Sequence, residues 1–285
     1  MFLELFNGSI FKVESLQTKI SEVCSIDIND SKDEIQKALR RASTKEEDYD
    51  NIVIIQNGKP KGFVSREELS RSSGNLNEIT IKKVKNYNFK VNDSLNKVIK
   101  KIKEDYEITD EINLYFITNN ETVTGIITYA DLNRKSVYIY NYILYSFVEQ
   151  WLRKQISKEY KNKNRRISDK WMMALNEGQK MELMKRSKKQ GESTISVCDL
   201  FHLVQVFKKD PKFTTLREET TDKLTVKTLE DLVSMRPKIA HPTKLLVPKD
   251  KIKDRLTRLM RISDLVEMFI PYEDFNEKNG GWPSY

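Results

Sequence analysis

Residues 26–39, IDINDSKDEIQKAL, align with residues 89–102, FKVNDSLNKVIKKI, at an offset of 63 positions and share a central Asn-Asp-Ser. Without a gap, NIVIIQNGKPKGFVSREEL (51–69) then falls on LYFITNNETVTGIITYADL (114–132). Gly62 lands on Gly125, Ser65 on Thr128, Glu68 on Asp131 and Leu69 on Leu132. A register held this long is hard to obtain by chance, so the first half of the chain contains one structural unit twice.

Each copy reads the same way. Asp30-Ser31 and Asp93-Ser94 fit helix N-caps, because a short oxygen-bearing side chain accepts from the free N–H groups of a first turn. The spacing of Ile35, Ala38 and Leu39, and of Leu95, Val98, Ile99 and Ile102, predicts an amphipathic helix in each copy. Two β-branched runs follow, NIVII then GFVS and LYFIT then GIIT, with a short polar turn between them that predicts a hairpin. A last short helix is expected to start at Ser65 or Thr128.

This pattern resembles a tandem pair of CBS domains over roughly residues 10–135. The resemblance implies an adenine nucleotide bound in a cleft between the copies. In the family a hydroxyl takes the phosphate and a carboxylate three residues later takes the ribose hydroxyls. Carried over, Thr128 and Asp131 fill those roles in Gly-Ile-Ile-Thr-Tyr-Ala-Asp, and a hydroxyl at a helix N-terminus sits beside N–H donors that favour an anion. Ser65 is the counterpart in the first copy, where Glu68 replaces the aspartate with one methylene more. The alternative is that Thr128 caps its helix and Asp131 is an ordinary first-turn acid.

Charge separates the halves. Residues 1–135 carry 21 Lys and Arg against 22 Asp and Glu, and residues 136–285 carry 29 against 20. A basic half attached to a near-neutral one suggests an anionic partner, nucleic acid first, while a solvated lysine-rich surface is the plain alternative. With 38% hydrophobic and 32% charged residues the chain has the composition of a helix-rich globular protein and not a disordered one. No run is long and apolar enough for a membrane span, and the start lacks a signal-peptide pattern. Cys24 and Cys198 lack ligand spacing, which fits reduced thiols in a cytoplasm. His202 lies four after Cys198 on one helix face, but two ligands make no metal site, and a surface or packing role is expected instead.

From Ser136 onward SVYIYNYILYSFVEQWLRKQISKEY predicts a long helix, with Tyr138, Tyr142 and Tyr145 on one strip expected to pack in a core or dimer interface. The run RKQISKEYKNKNRRISDK (153–170) holds eight basic residues against two acidic ones. Lys161, Lys163, Arg165 and Arg166 are its candidate RNA contacts, with Lys185, Arg186, Lys188 and Lys189 a second cluster. Further helices are expected through residue 270, giving an all-α bundle in residues 136–285.

Within that bundle, MRPKIAHP (235–242) places His241 five residues after Arg236. Pro237 predicts a break after Arg236, which would let both side chains converge instead of diverging by about 140° along one helix. The motif resembles the HEPN family, helical bundles marked by Arg, four to six residues, then His. Many of its members are dimeric, metal-independent ribonucleases in which a ribose 2′-OH attacks the adjacent phosphate. Carried over, His241 moves the proton and Arg236 holds the phosphoryl oxygens. Active members usually carry Asn, Asp or His after the arginine, and this chain departs from them at Pro237.

The expectation is therefore an α+β CBS pair in residues 1–135 and an all-α HEPN-like bundle in residues 136–285. Together they would form a cytoplasmic, homodimeric, ligand-gated endoribonuclease with an adenine nucleotide as regulator, RNA as substrate and no metal. A non-catalytic RNA- or protein-binding regulator with a structural bundle is the alternative. A nucleotide-binding scaffold with no nucleic-acid role is a third reading.

Overall fold

The structure, a computed structural model, describes residues 12–43, 50–111, 113–120, 122–162, 167–219, 222–240 and 245–269. Two compact units divide the chain: Met1–Val137 with Leu245–Thr257, and Tyr138–Lys244 with Arg258–Tyr285. The stretch 245–257, drawn with the bundle from sequence, thus belongs to unit one.

Unit one carries the repeat. Its strands are β1 (Thr18–Lys19), β2 (Ser25–Asp27), β3 (Asn51–Gln56), β4 (Lys59–Ser65), β5 (Lys82–Lys83), β6 (Asn88–Lys90), β7 (Tyr115–Asn119) and β8 (Thr122–Ile127). Its helices are α1 (Lys32–Arg41), α2 (Arg66–Arg71) and α3 (Leu95–Thr109). The sheets are ordered β2-β3-β4-β5 and β1-β8-β7-β6. In each, a parallel pair joined through a helix (β2 with β3, β6 with β7) is followed by an antiparallel hairpin. The fourth strand comes from the segment preceding the other copy, so β5 closes the first sheet and β1 the second.

Local sequence explains these joints. Ser31 Oγ accepts from Glu34 N at 3.4 Å and Ser94 Oγ from Lys97 N at 3.3 Å, so the serines are the caps. Asp30 and Asp93 instead accept from Asp27 N and Lys90 N, both at 2.8 Å, and close the turn before each helix. Asn57 and Gly58, with φ of +52° and +72°, make the first hairpin turn in the left-handed geometry an Asn-Gly pair favours. Gly62 and Gly125 sit where strands meet closely: a Cβ would lie 2.3 Å from Lys82 O at the first and 2.7 Å from Thr18 O at the second.

The continuous apolar runs follow from burial on both faces. Ile52, Ile54 and Val64 pack with Ile35 and Leu39 of α1 and Leu69 of α2. The alternate residues Val53 and Phe63 meet Leu114, Phe116 and Ile126 of the second copy. Each such side chain is worth about 1.5–3 kcal/mol when buried, so this second cluster is what fastens copy to copy. Leu246 and Val247 are also fully buried. The Asn133 amide donates to Val247 O at 3.0 Å and accepts from Val247 N at 2.8 Å, holding the returning segment.

Unit two is helical. It contains α4 (Lys135–Tyr160) from Tyr138 onward, a 3-10 helix at Asp169–Ala174, α5 (Glu177–Gln190), α6 (Leu200–Lys209), α7 (Thr214–Glu219), α8 (Asp222–Ala240) and, from Arg258 onward, α9 (Ile252–Phe269). Trp151, Trp171, Phe207 and Phe213 are fully buried and form its centre with Leu203, Leu232 and Met235. On α4, Tyr138 and Tyr145 are buried, whereas Ile139 and Tyr142 are exposed, so the tyrosine strip does not pack as one within the chain's own core.

Candidate functional site

In unit one the repeat builds the same corner twice and furnishes it differently. Where the second copy ends β8, Asp131 is buried and both of its oxygens are engaged. One accepts from Thr128 N at 2.7 Å and Thr128 Oγ1 at 3.1 Å; the other accepts from Arg134 Nε at 2.8 Å and Thr18 Oγ1 at 3.3 Å. Arg134 reaches on to Thr18 Oγ1 at 2.6 Å and Gln17 O at 3.1 Å. The structure thus brings Thr128 and Asp131 together, but against each other.

The first copy leaves this corner open. Ser65 caps α2, its Oγ accepting from Glu67 N at 3.2 Å, and lines a cavity of about 990 Å³. Glu68 lines it too, and its Oε2 is buried without a hydrogen-bond partner among the described residues. Five basic and five acidic side chains surround the cavity, and Lys249 with Asp50 (2.7 Å), Arg71 with Glu67 and Lys82 with Glu111 are already paired. Arg40, Arg66 and Asp110 complete the charged lining beside Glu68. Arg66 also donates to Ala42 O at 2.7 Å. Thr128 and Asp131 do not line this cavity.

Sequence reasoning ranked these corners the other way, because Asp matches the family pattern and Glu does not. It also missed Lys82, whose place in β5 matches that of Thr18 in β1: Lys19 lies opposite Gly125 and Lys83 opposite Gly62. An offset search one residue wider than the repeat would have paired them.

In unit two, Arg236 lies on α8 and lines a pocket of about 300 Å³ with Tyr142, Tyr145, Glu149 and Arg153. The expected break after Arg236 is absent: α8 runs through Pro237 to Ala240, so the convergence of Arg236 with His241 that a break was to allow has no support from this helix. A proline inside a helix costs about 3 kcal/mol. Here Leu232 and Met235 before it and Ile239 after it are all buried, and that apolar contact outweighs the lost backbone bond. His241, Lys163, Arg165 and Arg166 lie outside the described residues; Lys161 is exposed at the end of α4.

Arg236 is held from two sides. Its guanidinium carbon lies 5.8 Å from the centroid of the Tyr145 ring, and Nη1 is 3.8 Å from Asp199 Oδ2. Asp199 caps α6, accepting from His202 N at 3.3 Å, and its Oδ1 lies 2.8 Å from His202 Nδ1. Burial pushes the Asp199 carboxyl up, but the His202 hydrogen bond and charge, followed by Arg236, outweigh it and hold the group down at about 2. Half of the Arg236 side chain remains exposed to the pocket. Sequence reasoning missed Asp199, although an acid directly before an apolar-periodic run is an N-cap signal.

His202 is buried, as a packing residue would be. Burial pushes the Cys198 thiol up to about 12 against the pull of Arg153, which leaves it unreactive at neutral pH. Among the described residues there is no group of three His, Cys, Asp or Glu that could hold a metal, and no helix long and apolar enough to cross a membrane.

No family model matches the chain, and no curated protein matches it. Solved structures do. A CBS-domain pair with bound AMP from Klebsiella pneumoniae is 14% identical, over 42% of this chain and 94% of that one, with a TM-score of 0.32. A CBS domain protein from Shewanella oneidensis MR-1 is 16% identical over 42% and 92%, with a TM-score of 0.33. An uncharacterized conserved protein from Pyrococcus horikoshii is 23% identical over 42% and 88%, with a TM-score of 0.32. The likeness thus covers less than half of this chain, and the described architecture of unit one rests on its own strands and register.

Proposed function

We propose that unit one binds an adenine nucleotide in the Ser65–Glu68 cavity and that its occupancy regulates the helical unit. The observation that carries this reading is Glu68: a buried carboxylate oxygen with no partner among the described residues, on the wall of a nucleotide-sized cavity. Leaving such an oxygen unpaired costs about 1–3 kcal/mol, and a ribose diol supplies the missing donors. Arg40 and Arg66 then receive the phosphate, with Ser65 beside them. The identity of the base rests on the resemblance of the repeat to CBS pairs. In this reading Thr128 and Asp131 form a second corner that opens only when Arg134 lets go. Calorimetry of the whole chain with AMP, ADP and ATP tests it. Glu68→Gln should weaken the nucleotide that binds by about 1–3 kcal/mol; no binding of any of the three would end the reading.

For the output of unit two we propose metal-independent RNA cleavage by a homodimer, with Arg236 holding the phosphoryl oxygens and His241 moving the proton. The half-exposed Arg236 guanidinium supports it: it lies near Asp199 and the Tyr145 ring and still faces the pocket. Lys161, Lys163, Arg165 and Arg166 would track the RNA backbone. Mixed RNA incubated in EDTA should yield 2′,3′-cyclic phosphate ends, and Arg236→Ala should slow this by about 10²–10³. His241→Ala should abolish it. An intact wild type that cuts nothing leaves unit two as the non-catalytic regulator.

A further inference from the structure

We infer that unit two holds a second seat for a phosphodiester backbone, built from Lys161, Lys170 and Lys209 at the C-terminal end of α4; it rests on the RNA reading above. These lysines come from three segments: the residue after α4, the 3-10 helix at Asp169–Ala174, and the last residue of α6. All three line one cavity of about 730 Å³, which is the size of a nucleotide site. Fifteen residues separate Tyr160 from Tyr145. At 1.5 Å per residue the seat is therefore roughly 22 Å along α4 from the ring that holds Arg236.

Asp210 and Lys212 at this cavity are engaged with neighbours, which leaves three lysines against the one exposed carboxylate of Glu159. Asp210 is buried; it accepts from the Tyr160 hydroxyl with one oxygen and from Lys212 N at 3.0 Å with the other. Lys212 lies over the Tyr160 ring, 4.1 Å from its centroid, and donates to Glu159 O at 3.0 Å. Lys161, Lys170 and Lys209 are exposed and have no ion-pair partner among the described residues. Three like charges converge on one concave surface, and a phosphate between them relieves their repulsion. Met173 adds the apolar part. Its side chain is 78% exposed on the same cavity, a flexible, polarisable arm for the face of a base.

Binding of a 20-nucleotide oligouridylate to the full chain, read by fluorescence anisotropy across salt concentrations, tests the seat. Lys170→Glu with Lys209→Glu should weaken binding at least tenfold. It should also make the slope of log K against log salt shallower by about 1.4, at roughly 0.7 per lost single-strand phosphate contact. Both residues are exposed, so the fold should be unaffected. The charge-matched control, Lys185→Glu with Lys188→Glu on α5, should change binding much less. Equal losses in the two variants, or an unchanged affinity and slope in the first, would overturn the seat. Cleavage measured in parallel separates the two proposals. A wild type that binds through these lysines but does not cut keeps the seat and loses the nuclease. A wild type that cuts RNA with an affinity indifferent to Lys170 and Lys209 keeps the nuclease and loses the seat, and one that does not bind the oligonucleotide overturns both.

Discussion

Gly62→Ala tests the account of unit one at its narrowest point. A methyl there would sit 2.3 Å from Lys82 O and 2.7 Å from Ile81 Cγ2, where an ordinary contact is nearer 3.4 Å or more. The neighbour is backbone, so β5 must retreat by about 1 Å. Overpacking of this kind costs about 1–3 kcal/mol, and β5 is only two residues long, so a lost ladder bond adds about 1 kcal/mol. Against this, replacing glycine removes freedom from the unfolded chain and returns about 0.4–1 kcal/mol. The steric side wins, and the net loss should be about 1–3 kcal/mol. Trp151, Trp171 and Trp282 all lie beyond residue 137, so tryptophan fluorescence is blind to unit one and urea unfolding should be followed by far-ultraviolet circular dichroism. Gly58→Ala is the control, since its φ is +72° but nothing lies within 4 Å of the added methyl; backbone strain alone should cost about 1 kcal/mol. Because β5 carries Lys82 into the cavity, Gly62→Ala should also weaken nucleotide binding, and Gly58→Ala should not. A Gly62→Ala protein within 0.5 kcal/mol of wild type would refute both the close approach and the strand exchange that creates it.

In unit two, Asp199 is held at about 2 from an ordinary 3.8, so its stabilisation is present above pH 4 and lost as pH falls toward 2. Asp199→Asn should therefore cost about 2 kcal/mol at pH 7 and almost nothing at pH 2, measured by urea unfolding with tryptophan fluorescence. Met235→Ala, at a fully buried position one residue before Arg236, should cost about 2–5 kcal/mol in the same assay; a loss below 1 would mean that α8 is not held to the core there. Calorimetry should find one nucleotide per wild-type chain and two when Arg134→Ala frees Asp131. Two sites in the wild type would show that the second corner is not latched.

Much of unit one could be read in advance because a repeat constrains many positions together. The 63-residue register located both helices, both hairpins and the serine caps, and the shared glycines mark the two close strand crossings. The exchanged strands escaped notice for a physical reason. β1 and β5 are two residues each, too short for an alternation, and their partners lie more than a hundred and about twenty positions away. Pro237 misled in a different way: the local rule for the residue before proline is sound, but burial of Met235 and Ile239 on either side overrode it. Asp199 and Glu68 are functional candidates only through their surroundings, since one is defined by two arginines and His202 around it and the other by a partner missing among the described residues.

The two corners of unit one show how duplication separates into a latched corner and an open one. Both copies keep an arginine at the same repeat position, Arg71 and Arg134, yet Arg134 clamps Asp131 while Arg71 turns outward to Glu67. The acid decides this. Asp131 is short enough to turn back on Thr128 N and present its other oxygen to the arginine. Glu68, one methylene longer, makes no such return bond, and its Oε2 stays unpaired. The exchanged strand completes the difference. At matching places β1 supplies the Thr18 hydroxyl, which joins the Asp131 cluster, and β5 supplies Lys82, which pairs with Glu111 and Asn113 instead. Arg134 and Thr18, which close the second corner, thus have counterparts in Arg71 and Lys82 that are bonded elsewhere, and the same backbone gives one corner satisfied by the protein itself and one left open.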